Sequence, residues 1–170
     1  MGGQTYIYGA LAGVWGDCYN GGMKVGEIKV KVRFENVMDV ELCTRGRLAK
    51  RKVRTAMVEA VVDTGAVMLL LPQELVEKLG LKIFDKTTVT LADESRIRLD
   101  IADGLMVEIC GRKMICDCLV GPPGCEPLLG QLVMERLDLI PDPLNRTLSP
   151  RPESPFSPTL KLKTAVGAAG

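Results

Sequence analysis

The sequence predicts a mainly β domain, a small barrel or sandwich. Short segments of alternating apolar and polar residues recur at close spacing, turn residues separate them, and only two stretches carry a helical pattern. At 170 residues the chain is long enough for one domain with a real core. Aromatic residues make up only 4%, and Tyr6, Tyr8, Trp15 and Tyr19 all precede the body of the chain. Val, Leu, Ile and Met must therefore pack that core.

Residues 1–22 are Gly-rich and differ in composition from the rest. Two readings stand side by side: an optional or mis-assigned extension with Met23 as the natural start, or an N-terminal arm that packs on the body. Glu27 to Glu35 alternates without a break and predicts a half-buried strand. Met38 to Cys43 alternates again and reads as a second strand. The charged run from Arg45 to Lys52 reads as a hairpin connection, and Val53 to Val62 as the strand that follows it.

Pro72 to Gly80 has a helical signature, with Pro72 in the first turn, Glu74 early, Lys78 late and Gly80 as the stop. Strands are then expected at Thr87–Ala92, Arg96–Ile101, Leu105–Cys110 and Lys113–Val120. Asp93-Glu94-Ser95 and Gly111-Arg112 are read as hairpin turns between them. Pro122-Pro123-Gly124 is a loop, Gly130 to Leu137 a second short helix, and Leu139-Ile140 a brief extended piece. From Ser149 the Pro/Ser-rich text predicts a disordered tail. The domain proper thus spans residues 23–148. The units 58–79 and 115–137, each an apolar strand, a turn and a helix, form a faint pseudo-repeat.

Composition excludes several function classes. The chain has no histidine, which removes Ser-His-Asp and Cys-His catalysis and every His-ligated metal site. A net charge of +1 with mixed signs gives no global field toward nucleic acid or membrane. The first residues lack a basic segment ahead of an apolar one, and no uncharged apolar run is long enough to span a bilayer. Six cysteines without a secretory signal predict free thiols in a reducing cytoplasm. Cys110, Cys116, Cys118 and Cys125 do not have the spacing of a structural zinc module, and Cys116 and Cys118 fall on one strand face as small apolar residues.

The chemistry that remains centres on Asp63-Thr64-Gly65-Ala66, at the end of the apolar run Val58 to Val62. A carboxylate on a tight Gly-containing turn after a buried strand is held rigid, and burying it is costly unless hydrogen bonds or a partner acid compensate. Only one such turn is present, so two-carboxylate chemistry must take its second acid from another copy. Standing alone, Asp63 reads rather as a turn-forming residue that caps the loop after a strand.

Ala60 to Ala66, the Leu-Pro-x-x-Leu-Val-x-x-Leu-Gly-Leu segment at 71–81 and Leu128-Leu129-Gly130 together resemble the retropepsin-like aspartic proteases, and are most similar to the small prokaryotic clan AA members. The resemblance covers about residues 24–148. It implies a closed β-barrel with one lobe per subunit and a homodimer that sets two Asp63 side by side. Like charges at ~3 Å cannot both ionise, so such a pair shares one proton. One carboxylate then activates water and the other donates to the scissile carbonyl, with no metal and no cofactor.

The resemblance also implies roles for the neighbours. Thr64 would bond across the dimer, and Gly65, Ala66 and Val67 would present backbone to an extended peptide. Leu128-Leu129-Gly130 would brace the aspartate loop from below, with Gly130 permitting close approach. The hairpin tipped by Asp93-Glu94-Ser95 would be the flap over the substrate. Its acidic tip lacks the glycines common in viral flaps, and Leu137-Asp138 stands where the family often has Leu-Gly. The expected activity is endopeptidase hydrolysis of a peptide or protein substrate. The alternatives are a dimeric peptide-binding module without catalysis, and an interaction domain whose basic stretch Arg45–Arg54 holds nucleic acid. That stretch lacks interleaved aromatics and reads rather as a solvated connection, or as a determinant of substrate preference.

Overall fold

The computed structural model describes residues 27–91 and 93–159. The elements are β1 (Lys29–Asn36), α1 (Val37–Thr44), a 3-10 turn (Lys50–Lys52), β2 (Thr55–Val62), β3 (Leu70–Pro72), α2 (Gln73–Leu79), β4 (Lys82–Thr90), β5 (Arg96–Ile109), β6 (Arg112–Gly121), β7 (Leu128–Leu129), α3 (Gln131–Leu137), β8 (Leu139–Asp142) and β9 (Thr147–Pro150). The predicted 1–22 leader and Met23 lie outside the described residues.

The main sheet runs β1-β2-β7-β3-β6-β5-β4 and closes because β1 also pairs with β5. Six strands thus form a closed barrel, and β4 extends outward as a hairpin with β5. Closure follows from the two edges of β1. It runs antiparallel to β2 from Lys29↔Val61 to Glu35↔Thr55, and antiparallel to β5 from Arg33↔Glu108 to Asn36↔Leu105. The inward positions Val32, Phe34, Leu71, Leu79, Leu105, Val107, Cys118, Leu129 and Leu137 are fully buried. Each such aliphatic or aromatic side chain contributes about 1.5–3 kcal/mol on leaving water. Apart from Phe34 and Cys118, these fully buried residues are aliphatic, as the scarcity of aromatics requires.

The two short helices at 73–79 and 131–137 lie where the pattern predicts, and Gly80 adopts the left-handed cap at φ 59. The segment Met38–Cys43, read as a strand, is helical instead. Asn36 decides this: its Oδ1 accepts from Asp39 N, and its Nδ2 donates to Leu79 O and Gly80 O. Asp39 is then buried and accepts from Arg54 N, Nε and Nη2 at 3.0, 2.6 and 2.8 Å. The Arg54 hydrogen bonds hold its carboxyl below the usual range. The connection that follows is a turn and a 3-10 segment, not a hairpin.

The stretches read as separate strands at 96–101 and 105–110 form one strand, β5. An irregularity between Ala102 and Leu105, with Gly104 at φ 78, lets it bend around the barrel. The turn into β6 sits at Cys110-Gly111, both with positive φ, one residue earlier than expected.

The tail read as disordered from Ser149 is ordered through residue 159. Ser149 and Pro150 belong to β9, which pairs with β8. Asp138 takes the left-handed position after α3 at φ 51, and its buried carboxylate accepts from Arg151 Nε at 2.7 Å, from Ser154 Oγ and from Thr159 N. Buried Arg112 donates to Leu137 O, Asp138 O and Ser154 O. The Ser154 hydroxyl, then Arg151, pull the Asp138 carboxyl down to about 2. Composition alone misses this clasp. Residues 160–170 lie outside the described residues. Among the described residues no helix is long and apolar enough to cross a membrane.

Candidate active site

Strand β2 delivers Asp63 to the end of the barrel. Val61 and Val62 run parallel to Leu128 and Leu129 of β7, and the register continues one step further as Asp63 N donates to Leu129 O at 3.0 Å. Gly65 N donates to Asp63 Oδ1 at 2.9 Å and Ala66 N to Asp63 O at 3.3 Å, which closes the turn. That bond to Gly65 is the only side-chain hydrogen bond of Asp63 among the described residues. A Cβ on Gly65 would lie 3.3 Å from the same carboxylate oxygen, so glycine keeps the backbone close to it.

The loop is tied to α3 as well. Gln131 N donates to Ala66 O at 2.7 Å and Leu132 N to Val67 O at 3.1 Å. These amides open a helix and have no partner inside it, so the aspartate loop satisfies them. Gly130 makes the contact possible. A Cβ there would sit 2.4 Å from Met68 O, 2.6 Å from Met68 C and 2.7 Å from Val67 C, all backbone atoms. Leu129, fully buried, supports the loop from the core.

The structure therefore joins Asp63, Gly65, Ala66, Val67 and Leu129 through hydrogen bonds, with Thr64 in the same loop and Gly130 packed against it. Asp63 is half-buried at its surface, while Thr64, Gly65 and Val67 are exposed. Thr64 has no side-chain partner among the described residues.

Asp93, Glu94 and Ser95 stand apart from this unit. They form the tip of the β4–β5 hairpin, where Leu91 N donates to Ser95 O and Asp93 Oδ1 accepts from Ser95 N and Ser95 Oγ at 3.0 and 2.6 Å. The Ser95 hydroxyl, foremost, holds the Asp93 carboxyl below its usual range. Glu94 carries φ 65, the role a glycine often fills. Lower down, Val89, Ile97, Leu99 and Ile101 pack with Val61, Leu70, Leu119 and Leu128. The hairpin base thus rests on the strands that carry Asp63.

Sequence reasoning missed a neighbouring groove of about 340 Å³ whose lining includes Met68, Met114, Ile115, Leu132 and Val133, with Asp117 and Arg136 at its edge. Ile115 and Leu132 are 61% and 51% exposed. The available signal was an apolar Leu132 on the outer side of a helix right after Gly130.

Three of the thiols are poor nucleophiles near neutrality. Burial pushes Cys116, Cys118 and Cys125 up to about 12, so they stay protonated near neutrality. All five described cysteines are free, and Cys116 and Cys118 share the inward side of β6. No protein-family model matches the chain, and a search of curated proteins finds no significant match.

Proposed function

We propose that this chain is a retropepsin-like aspartic endopeptidase, active as a homodimer in which each copy supplies one Asp63. The observation that carries the reading is the joint construction of the Asp63 loop and Leu128-Leu129-Gly130. An acid-bearing turn is bonded to a parallel strand and to the first amides of a helix, at a glycine with no room for a side chain. This rigid platform leaves the carboxylate accessible, which general acid–base work requires.

In the dimer the two Asp63 carboxylates share one proton. The ionised one takes a proton from a bound water as that water attacks the scissile carbonyl. The protonated one donates to the carbonyl oxygen, and a tetrahedral intermediate forms without a covalent enzyme adduct. Gly65, Ala66 and Val67 lie along the platform as backbone for an extended substrate. The Thr64 hydroxyl, without a partner among the described residues, suits a bond to the second copy. Neither a metal nor a cofactor enters this scheme.

One observation favours a second reading, a dimeric peptide-binding module without turnover. The Asp93–Ser95 bonds hold the hairpin tip in one local shape, which opposes the tip rearrangement that would fold it onto a substrate and exclude water. Incubation of wild type and Asp63→Asn with a diverse peptide mixture, read by mass spectrometry from acid to neutral pH, separates the two. Cuts that vanish in the variant support the peptidase. Peptides retained uncut by both proteins support the binding module.

A further inference from the structure

The basic stretch after α1 has a defined shape. Arg47 N and Leu48 N both donate to Leu42 O at 2.8 and 3.2 Å, and Gly46 at φ 71 makes the turn. Lys52 N donates to Ala49 O at 2.8 Å and Val53 N to Lys50 O at 3.2 Å, which closes the 3-10 turn. Arg54, held by Asp39, anchors the far end. A solvated connection does not require so many internal bonds.

Its charges divide into two sets. Arg45 is paired with Glu41 and Arg54 with Asp39. Arg47, Lys50, Arg51 and Lys52 are exposed and have no carboxylate at ion-pair distance among the described residues. Beside them lies a groove of about 140 Å³ lined by Met38, Glu41, Leu42, Arg45 and Arg47. Met38, at 60% exposure, leaves a large apolar side chain uncovered at its wall. The groove wall carries one unpaired cation, Arg47, beside the Glu41–Arg45 ion pair, and the 3-10 turn that bears Lys50, Arg51 and Lys52 packs near α1, so an apolar side chain followed by carboxylates is complementary to this face.

We propose that this face docks an acidic segment of a protein partner. One apolar side chain of the partner fills the Met38–Leu42 groove, and its carboxylates meet Arg47, Lys50, Arg51 and Lys52. Nucleic acid fits the same face less well. No aromatic residue between 36 and 54 offers a base a stacking surface. Exposed ion pairs are individually weak and screened by salt, so the apolar anchor is part of the recognition.

The test is selection of a random peptide library on the whole protein, with the variant R47E/K50E/R51E/K52E as counter-selector. The four replaced side chains have no partners among the described residues, so the variant is expected to stay folded, which its thermal unfolding checks. The expected result is enrichment of peptides in which acidic residues flank one apolar residue, bound at least about ten-fold more weakly by the variant and by Met38→Asp, and more weakly as salt rises. The proposal is overturned if no peptide is enriched or if the enriched peptides lack acidic residues. It is equally overturned if the charge-reversed variant binds them as well as wild type, or if oligo-dT alone binds with the expected charge dependence. The readout is binding, so it is independent of the chemistry assigned to Asp63.

Discussion

Gly130→Ala places one methyl group where the structure has no space for it. The added Cβ would meet backbone atoms of Val67 and Met68 at 2.4–2.7 Å, well inside contact distance. Backbone held at both ends by β2 and β3 cannot rotate away as a side chain would. Either the aspartate loop or the start of α3 must shift, and overpacking of this kind costs about 1–3 kcal/mol. The shift also strains the bonds from Gln131 N to Ala66 O and from Leu132 N to Val67 O, each contributing about 0.5–1.5 kcal/mol. The expected destabilisation is about 2–5 kcal/mol, a large share of a typical domain's stability. In a chain of this size it lowers Tm by roughly 5–15 °C. Urea and thermal unfolding measure it directly. A variant whose stability matched wild type within about 0.5 kcal/mol would refute the close-approach argument.

The opposite behaviour is expected of Gly65→Ala, whose added Cβ meets only the Asp63 carboxylate at 3.3 Å. Stability should change by less than about 1 kcal/mol while peptide cleavage falls sharply, and a loss of fold instead would contradict the assignment. Asn36→Ala removes both the α1 cap and the bonds to Leu79 O and Gly80 O. It should cost about 2–4 kcal/mol in urea unfolding. The Asp138 carboxyl is held down to about 2, so its clasp stabilises the fold above the ordinary carboxylate range and loses that effect as pH falls from about 4 toward 2. The Tm difference between wild type and Asp138→Asn should therefore be largest near neutral pH and shrink over that acid window. A difference independent of pH would show that charge on Asp138 does not matter.

What the sequence made legible was what short-range rules decide. The strand into Asp63, the two short helices, the left-handed Gly80 cap and the mainly β architecture all follow from patterns within a few residues. Gly130 was legible as a close-approach glycine because Leu128-Leu129-Gly130 recognisably pairs with an acid-bearing turn. The failures lie where distant partners decide. Residues 38–43 alternate like a strand, yet Asn36 bonds to Leu79 and Gly80, and Asp39 bonds to Arg54, so the segment coils into α1. Pro/Ser composition after Ser149 reads as disorder, yet Asp138 and Arg112 hold that segment from earlier in the chain. The Met68–Leu132 groove combines β6, α3 and the aspartate loop, a grouping that no local pattern reveals.

Whether two copies of Asp63 form one site can be read from mixed dimers. Wild type and Asp63→Asn are refolded together in varied ratios, and cleavage of one peptide substrate is followed at constant total protein. A shared dyad predicts activity that falls with the square of the wild-type fraction, to about a quarter in an equal mixture. Activity that falls in simple proportion to the wild-type fraction would place the chemistry within one chain and contradict the account.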